Sequence, residues 1–464
     1  MALIKSISGI RGTIGGKVGE ALTPLDIVKF TAAYGSWVIE KTKKPKIIIG
    51  RDARVSGEMV SKLVSATLQG LGIDVVDLDL STTPTVELAV PRENAGGGII
   101  ITASHNPMQW NALKLLNDKG EFISDQEGKD ILDRAENDAY HFAEAKKLGR
   151  YSLNKGYIDI HIQHVLDLKL VDKEAIAARK FKVVVDCVNS TGGLVLPKLL
   201  KALGVAEVEE MNCTPDGFFP HNPEPLPEHL RDIAGKLKNG KYDLGIVVDP
   251  DVDRLAFLNE DGTFFGEEYT LVAVADYILS ETQGNTVSNL SSTRDLRDVT
   301  EKRGGNYYAA AVGEVNVVDK MKETEAIIGG EGNGGIIYPE SHYGRDALVG
   351  IGLFLTHLAK FGKSCSRLRA SFPNYHISKN KIELTPDINV DTILDKIRGK
   401  YSKHPINDID GIKIEFEKEW VHLRKSNTEP IIRIYSESAT QATAEHLANK
   451  IMLDIKEVIS NGNA

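Results

Sequence analysis

Residues 97–107 read GGIIITASHNP, an apolar run that stops at a polar turn. Three further runs have the same character: KIIIG at 46–50, KVVVD at 182–186 and LGIVVD at 244–249. Continuous β-branched runs of this length are typical of strands buried on both faces of a parallel or mixed sheet. Longer helical patterns, such as 57–71, lie between them. The pattern therefore predicts an α/β protein.

Composition and charge exclude several classes of function. The 464-residue chain has a net charge of -9, because 65 acidic residues outnumber 56 basic ones. This balance argues against nucleic acid as the partner, since phosphate backbones attract an excess of Lys and Arg. No stretch approaches 18 uninterrupted apolar residues, so no membrane partner is expected. Three well-separated cysteines and the absence of a leader pattern predict a cytoplasmic protein.

Changes of pattern divide the chain into four predicted domains. An α/β domain covers 1–150, a second covers 151–254, and a third covers 255–371 and closes with a helix from Ala347 to Phe361. Residues 372–464 change to an α+β pattern with antiparallel strands and a final helix. That helix places four apolar side chains on one face: Leu447, Ile451, Ile455 and Ile459. No exact repeat is visible, but three α/β blocks of similar size suggest a weak structural one.

A polar loop follows the strand at 97–102. Asn106-Pro107 forces an extended or turn geometry, so we expect an exposed loop that presents Ser104 to solvent. A serine hydroxyl acts as a nucleophile only with a base or a phosphoryl partner. His105 is adjacent, but neighbouring side chains on an extended backbone point apart, so we do not expect it to be the base for Ser104. A polar turn with a serine cap is the alternative interpretation.

Three carboxylates alternate in the segment 249–254, DPDVDR, directly after a predicted strand. Side chains at i, i+2 and i+4 of an extended loop project together and repel one another unless a cation lies between them. Oxygen ligands alone suit Mg²⁺. We reject an EF-hand because its sixth position requires glycine and here holds Arg254. A solvated acidic turn is the remaining alternative.

A glycine-rich loop occupies 329–335, GGEGNGG. Its glycines match the dinucleotide-binding pattern G-x-G-x-x-G, but the residues that follow do not begin a helix. Glu331 and Asn333 alternate, so one carboxylate and one amide can face the same ligand. That pairing suits adjacent sugar hydroxyls, and a simple hairpin turn is the alternative.

A cluster of hydrogen-bond donors occupies 424–430, RKSNTEP, between two predicted strands, and Arg433 lies just beyond it. Guanidinium, hydroxyl and backbone N–H groups bunched in this way are suited to holding a phosphate. The cluster is notable in a chain with an acidic balance. A polar hairpin turn is the alternative.

These four loops, in this order, resemble the active-site motifs of the α-D-phosphohexomutase family. We call them the serine loop (102–107), the metal loop (249–254), the sugar-binding loop (330–335) and the phosphate-binding loop (424–430). The match covers essentially the whole chain. Membership implies four domains around a central cleft, in which three similar α/β domains with mixed sheets are followed by a smaller α+β domain.

The resemblance also implies a reaction, that of an isomerase which is a phosphoprotein. Ser104 would carry a phosphoryl group, pass it to a hexose phosphate and recover the other phosphate of the bound hexose bisphosphate, which is both intermediate and activator. The net result moves phosphate between C6 and C1. One Mg²⁺ per chain would be held by a phosphoserine oxygen together with Asp249, Asp251 and Asp253. The implied partner is a small hexose phosphate, and the chain is expected to be a monomer or a homodimer.

Further site residues follow from matching positions. Arg11 would neutralise the transferring group, and Lys114 is a candidate general acid or base if nearby cations lower its pKa. His105 and Asn106 would support the reacting groups, and Arg254 is grouped with these catalytic residues. Substrate binding is assigned to two sets: Glu331 and Asn333 for the sugar hydroxyls, and Arg424, Ser426, Asn427, Thr428 and Arg433 for the phosphate that does not react.

The sugar-binding loop departs from many bacterial members, which end it in Ser-Gly-His where this chain has Asn333-Gly334-Gly335. A histidine that is sometimes given a role there is missing. The loss of bulk predicts weak discrimination between substituents at C2. We therefore expect an enzyme that accepts several hexose phosphates and prefers one of them. We expect glucosamine 6-phosphate to be preferred, as in a phosphoglucosamine mutase. A phosphomannomutase/phosphoglucomutase of broad specificity is the alternative.

Two other classes share parts of the pattern. A metal-dependent sugar phosphatase would use the same metal loop, but it has no need of a phosphate-binding loop in a separate domain. A non-catalytic sugar-phosphate-binding protein would keep that loop and lose Ser104 or an aspartate. This chain retains all of them.

Overall fold

The computed structural model describes residues 2–6, 9–42, 45–384, 388–425 and 431–460. Their strands form four sheets, one in each of four successive units of the chain. The first three sheets mix parallel and antiparallel strands, whereas the fourth is entirely antiparallel. The expected α/β architecture, with a smaller C-terminal unit of different design, is confirmed.

The first unit is built on a seven-stranded sheet. In chain order its elements are β1 (Leu3–Ser6), β2 (Gly9–Thr13), α1 (Pro24–Lys41), β3 (Lys46–Arg51), α2 (Gly57–Gly70), β4 (Asp74–Leu80), α3 (Thr83–Arg92), β5 (Gly97–Ile101), β6 (Trp110–Leu116), α4 (Asp125–Glu136) and β7 (Tyr151–Leu153). The strand order is β1-β2-β6-β5-β3-β4-β7. Helices α1 and α4 begin at capping boxes, which Thr23 forms with Asp26 and Ser124 forms with Glu127.

The second and third units each contain a four-stranded sheet. The second comprises α5 (Tyr157–Leu166), α6 (Lys173–Arg179), β8 (Lys182–Asp186), α7 (Gly192–Ala202), β9 (Glu207–Met211), α8 (Arg231–Asn239), β10 (Leu244–Val248) and β11 (Leu255–Asn259). The third comprises α9 (Glu267–Glu281), β12 (Asn285–Asn289), α10 (Asp295–Lys302), β13 (Tyr307–Ala310), α11 (Glu314–Glu323), β14 (Ala326–Glu331), β15 (Gly335–Ile337), α12 (Ala347–Phe361) and α13 (Cys365–Arg369).

The three α/β units repeat one strand order. Their shared strands lie side by side as β6-β5-β3-β4, β11-β10-β8-β9 and β15-β14-β12-β13. In each set the last strand in the chain pairs antiparallel with the strand before it, and the other pairs are parallel. The structural repeat suggested by the block sizes is therefore present. Its antiparallel hairpins, β5–β6, β10–β11 and β14–β15, occupy equivalent places.

Two of the predicted domain boundaries separate strands that pair with each other in one sheet. Strand β7, which begins at Tyr151, pairs with β4 of the first sheet, and β11, which begins at Leu255, pairs with β10 of the second. The predicted boundary at 150 follows a charged helical stretch, and that at 254 follows the metal loop. Sheet membership instead depends on which strands pair, and that is decided in three dimensions.

The fourth unit is an antiparallel sheet packed against helices. It comprises β16 (His376–Glu383), α14 (Val390–Lys400), β17 (Ile406–Asn407), β18 (Ile412–Glu415), β19 (Trp420–Lys425), β20 (Ile431–Ser438) and α15 (Gln441–Ser460), with strand order β16-β20-β19-β18-β17. The predicted apolar face of α15 packs on this sheet: Leu447, Ile451 and Ile455 are buried, and Ile459 packs against the same cluster.

The second and third units share one hydrophobic core, which joins β11 to α12. Phe257 of β11 stacks on Phe354 of α12 with ring centroids 3.7 Å apart. Asp346 caps α12 by accepting hydrogen bonds from the N–H groups of Leu348 (2.8 Å) and Val349 (3.2 Å). The metal loop and the sugar-binding loop are thus held on a common base. Within the ranges described, no helix is both long and apolar enough to cross a bilayer.

Candidate active site

Three of the four loops are the equivalent hairpin turns of the repeated units. The serine loop joins β5 to β6, the metal loop joins β10 to β11, and the sugar-binding loop joins β14 to β15. Two adjoining cavities lie where they meet. The serine cavity, about 440 Å³, is lined by Ser104 and Lys114 among others, and the arginine cavity, about 370 Å³, is lined by Arg424 and Arg433. His105, Arg254, Glu331, Arg345 and Arg424 line both cavities, so together they form one cleft.

Ser104 lies at the base of the serine cavity. Its Oγ donates a hydrogen bond of 2.7 Å to Asp249 Oδ2, and the residue is only 4% exposed. The expectation that the turn presents this serine to solvent is therefore wrong, because the metal loop of the second unit covers it. Ser104 has a φ of 48°, a left-handed rather than an extended conformation. This brings His105 Nδ1 to 3.4 Å from Oγ, so the two neighbouring side chains do not point apart as expected.

Arg54 holds the serine loop from behind. Its side chain is fully buried, and its Nε donates to Asp52 Oδ2 at 2.9 Å. The remaining guanidinium donors reach carbonyl oxygens of the loop and its exit: Ser104, Asn106 (2.8 Å), Pro107 (2.8 Å) and Trp110 (3.2 Å). Thr102 Oγ1 also donates to Asp52, at 2.7 Å. The loop's conformation is thus set by one charged pair below it.

The metal loop brings Asp249, Asp251 and Asp253 together. One carboxylate oxygen from each lies within 4.8 Å of the others, and all three residues are buried. Among the described residues, the Oδ1 atoms of Asp251 and Asp253 have no hydrogen-bond partner. A buried oxygen without a partner is costly, and a hard divalent cation such as Mg²⁺ that takes oxygen ligands fits this donor set. Val252 between them adopts a φ of 63°, a strained conformation for a β-branched residue.

Lys114 contacts two carboxylates of the metal loop. Its Nζ donates to Asp251 Oδ2 at 2.7 Å and to Asp253 Oδ2 at 3.2 Å. Burial opposes the charge of Lys114, but the two carboxylates outweigh burial and raise its pKa. The condition for acid–base chemistry, that nearby cations lower the pKa of Lys114, is therefore not met here. Its closest neighbours are the carboxylates of the second unit rather than cations.

The metal-loop carboxylates hold protons unequally. Burial, followed by the charges of Asp251 and Asp253, raises the pKa of Asp249 well above its usual range. Burial also opposes ionisation of Asp251, but Lys114 outweighs it and lowers the pKa of that carboxyl. A divalent cation would offset the repulsion that, after burial, contributes to the raised pKa of Asp249.

Four further expected residues lie around Ser104. Arg11 Nη1 donates to Asn106 Oδ1 at 3.0 Å, which places both at the mouth of the serine loop. The backbone N–H of Arg254 donates to Asp249 Oδ1 at 3.1 Å. Burial, together with the charges of Arg254 and Arg11, lowers the pKa of His105 to about 2. The imidazole beside Ser104 is therefore neutral at physiological pH.

The sugar-binding loop places its two expected side chains on the arginine cavity. Glu331, at the end of β14, is buried and accepts hydrogen bonds from Asn289 Nδ2 (2.8 Å) and Arg345 Nη1 (2.9 Å). Asn333 Oδ1 accepts from the N–H of Gly335 at 3.2 Å. The carboxylate and the amide thus line one cavity, as their alternation in the sequence suggests.

Part of the phosphate-binding loop lies outside the described residues: Ser426, Asn427 and Thr428. Its two arginines are described, and Arg424 of β19 stands directly opposite Arg433 of β20. Both line the arginine cavity, and Asp410 Oδ2 lies 2.8 Å from Arg424 Nε. Like charges directly opposite on paired strands destabilise a sheet, and an anion between them removes that cost. The pair fits a phosphate.

Sequence reasoning missed two residues that contact carboxylates of the metal loop from other units. Thr83, at the start of α3, donates through Oγ1 to Asp251 Oδ2 at 2.6 Å. Arg345 donates through Nη2 to Asp253 Oδ2 at 2.7 Å. Neither belongs to a recognisable motif. Each is brought to the loop by packing between units, so no local signal in the sequence could have indicated it.

Comparison with known proteins agrees with this geometry. Models of the phosphoglucomutase/phosphomannomutase family match four consecutive stretches: alpha/beta/alpha domain I at 3–141, domain II at 159–262, domain III at 266–375 and the C-terminal domain at 382–453. The chain belongs to this family. It is therefore a phosphohexomutase, an isomerase, and the resemblance drawn from the four loops is confirmed.

Individual relatives match along almost their whole length. A phosphoglucomutase/phosphomannomutase of Thermococcus kodakarensis is 35% identical over 440 residues, 93% of this chain and 95% of that protein. A phosphoglucosamine/phosphogalactosamine mutase of Sulfurisphaera tokodaii is 31% identical over 466 residues, 99% of both chains. The crystal structure of a family protein from Burkholderia thailandensis superimposes with a TM-score of 0.84 at 26% identity and covers 98% of both chains.

Proposed function

We propose that this phosphohexomutase moves phosphate between C6 and C1 of a hexose phosphate through a phosphoserine at position 104. The observation that carries the proposal is the hydrogen bond of 2.7 Å from Ser104 Oγ to Asp249, within a cluster of three buried carboxylates. A metal-dependent phosphatase would also need a serine beside a carboxylate cluster, but it would need nothing further. The opposed arginines Arg424 and Arg433, which suit a second phosphate on the same substrate, favour a mutase.

The two transfers are mirror images. The C1 hydroxyl of a hexose 6-phosphate attacks the phosphorus on Ser104, the P–Oγ bond breaks, the hydroxyl proton leaves and Oγ takes up a proton, giving hexose 1,6-bisphosphate and free Ser104. After the sugar turns over, Oγ attacks the phosphorus on O6, its proton leaves, and O6 is protonated as the hexose 1-phosphate forms. His105 Nδ1 lies 3.4 Å from Oγ, but a pKa lowered to about 2 makes this imidazole too weak a base for the serine proton, which in the structure points to Asp249 Oδ2 at 2.7 Å.

The remaining side chains neutralise charge and fix positions, which is most of the catalysis of phosphoryl transfer. When bound, Mg²⁺ would be held by Asp249, Asp251, Asp253 and a phosphoserine oxygen, and it neutralises charge on the transferring group. Arg11 and Arg254 offer guanidinium groups beside Ser104, and Lys114 offers a protonated ammonium. Ser426, Asn427 and Thr428 would complete the phosphate site begun by Arg424 and Arg433.

The proposed preferred substrate is glucosamine 6-phosphate, with a broad phosphomannomutase/phosphoglucomutase activity as the second candidate. Five acidic side chains besides Glu331 line the cleft, and an ammonium at C2 would gain from those that are ionised: Asp125, Glu224, Glu268, Glu314 and Asp410. Named relatives include both classes of mutase. The preference is expected to be on the order of tens-fold, since no single polar group is dedicated to C2. Cytoplasmic location and a monomer or homodimer stay predictions.

The test measures kcat/KM for glucosamine 6-phosphate, mannose 1-phosphate and glucose 1-phosphate on one preparation, with release of inorganic phosphate followed in parallel. Intact mass should show one phosphate on a fraction of chains, located at Ser104. Ser104→Ala should abolish turnover. Ser81→Ala should not, since it truncates another buried serine of the same unit whose Oγ has no hydrogen-bond partner within the described ranges.

Three outcomes would count against the proposal. Phosphate release at the rate of turnover would favour the phosphatase. Full activity of Ser104→Ala would remove the phosphoserine. If glucosamine 6-phosphate is the poorest of the three substrates, the mutase reaction still stands, but the proposed substrate preference is wrong and the phosphomannomutase/phosphoglucomutase activity replaces it.

A further inference from the structure

Arg345 lies where the serine cavity and the arginine cavity meet, and it lines both. Its side chain is buried, and each guanidinium nitrogen faces a different carboxylate. Nη2 lies 2.7 Å from Asp253, Nη1 lies 2.9 Å from Glu331, and Nε lies 3.0 Å from Glu314. Its backbone N–H also donates to Glu314, at 3.0 Å. One side chain therefore connects the metal loop with the sugar-binding loop.

The charges around Arg345 explain why it is held so firmly. Burial opposes the charge of the guanidinium, but Asp253, Glu314 and Glu331 outweigh burial and raise its pKa. Without the guanidinium, these carboxylates would repel one another across the cleft. A planar guanidinium donates in fixed directions, so it sets the orientation of the oxygens that it contacts, as an ammonium does not.

The space for Arg345 exists because position 335 is a glycine. A Cβ atom on Gly335 would lie 2.3 Å from Cδ of Arg345 and 3.0 Å from its Cγ. These atoms are in the middle of a side chain whose end is fixed by three carboxylates, so they have little freedom to move away. Gly335 is also the position at which many bacterial members of the family carry the histidine that this chain lacks. The arginine therefore fills the region that a side chain at 335 would otherwise occupy.

We propose that Arg345 is the positioning residue of the sugar site: from the space left by Gly335 it fixes the Glu331 carboxylate for the substrate hydroxyls and ties that carboxylate to the metal loop. The inference rests on the proposed function, because it takes Glu331 as the ligand of the sugar. It goes further in assigning a role to a residue outside every matched motif, and in explaining what replaces the missing histidine.

The first experiment measures substrate binding without turnover. In a Ser104→Ala background with Mg²⁺ present, calorimetric titration with glucosamine 6-phosphate and with glucose 6-phosphate should show affinity falling about 10- to 100-fold when Arg345→Gln is added. The loss should be the same for both sugars, because Glu331 faces hydroxyls that they share. The affinity of Arg345→Lys should lie between that of the Ser104→Ala parent and that of Arg345→Gln, since lysine keeps the charge but lacks the forked donors of the guanidinium.

A matched control removes another arginine of the same unit. Arg369 donates through Nε to the carbonyl of Phe265 at 2.9 Å and lines neither cavity. Arg369→Gln should leave both affinities within twofold. If Arg345→Gln lowers the melting temperature but binds both sugars as the parent does, Arg345 is merely structural and the proposal is overturned.

The second experiment tests the link to Gly335, and its single variant Gly335→Ala keeps the arginine, so it also serves if Arg345→Gln does not fold. Gly335→Ala should weaken binding because its methyl group displaces Arg345. In an Arg345→Ala background, Gly335→Ala should lower the affinity by less than twofold. This difference between the two backgrounds would show that the two sites are strongly coupled. Equal costs in both backgrounds would overturn the proposal. Gly235→Ala, whose methyl group would meet no atom within 4 Å, is the control.

The outcomes separate this inference from the proposed function. If the wild-type protein interconverts no hexose phosphates, the proposed function fails. If it does interconvert them, and the Arg345 variants bind the sugars normally, only the role of Arg345 fails.

Discussion

Arg54 offers a test of how the serine loop is held, because it is fully buried and yet touches the loop only through carbonyl oxygens. We consider two changes. Arg54→Met removes the charge and every donor, and Arg54→Lys keeps the charge and one nitrogen. Arg54→Met should mainly lower the free energy of unfolding, and Arg54→Lys should mainly lower kcat.

The magnitudes follow from the contacts. Removing one partner of a buried ion pair costs about 3–5 kcal/mol, so Arg54→Met, which strands the Asp52 carboxylate, should destabilise the first unit by that amount. A lysine can still pair with Asp52 but cannot reach four carbonyls that lie in different directions. The serine loop should then shift, and a displacement of about 1 Å at reacting atoms costs on the order of 100-fold in rate.

The assay combines denaturant unfolding, kcat and the fraction of chains phosphorylated on Ser104. Arg51→Met is the control from the same segment, since Arg51 pairs with Asp79 at 2.8 Å in a partly exposed site. Such pairs are worth about 0–1 kcal/mol, so this variant should keep its stability and its kcat. An Arg54→Lys enzyme with wild-type kcat, or an Arg51→Met enzyme as damaged as Arg54→Met, would refute this account of the loop.

Three other predictions concern the metal, the phosphate site and pH. Chelation should stop turnover, and added Mg²⁺ should restore it. Asp251→Asn should be inactive although circular dichroism shows it folded. Full activity after chelation would mean that the metal loop has only a structural role. Arg424→Ala should raise KM more than it lowers kcat, because the phosphate it holds does not react; an unchanged KM would exclude that role. Burial lowers the pKa of Lys413 to about 8, and its Nζ donates to the carbonyl of Leu290 at 2.9 Å. The folded protein thus releases this proton at a lower pH than the unfolded chain does, so from pH 7 to 9.5 the wild type should gain about 2 kcal/mol of stability relative to Lys413→Met; a difference independent of pH would contradict it.

The sequence by itself determined the local elements of this protein. The run at 182–186 and the helix at 347–361 match β8 and α12 residue for residue. Apolar runs and helical periodicity reflect burial on one or two faces of a single element, and that is encoded in neighbouring residues. The four loops were also found in this way, because each polar cluster directly follows or separates strands. The repeat of the three hairpins then brings the serine, metal and sugar-binding loops to one cleft.

Only the tertiary structure decided the chemistry of individual groups. The burial of Ser104 depends on Asp249, 145 residues further along the chain. The raised pKa of Lys114 depends on Asp251, 137 residues away, and the placement of Arg345 depends on Asp253, 92 residues before it. A side chain's pKa and exposure are set by the charges and surfaces that surround it, and here those belong to other units of the chain. Local sequence carries no record of such neighbours, so it could indicate the motif residues that meet in the cleft, but neither the arrival of Thr83 and Arg345 nor what each contact does to these groups.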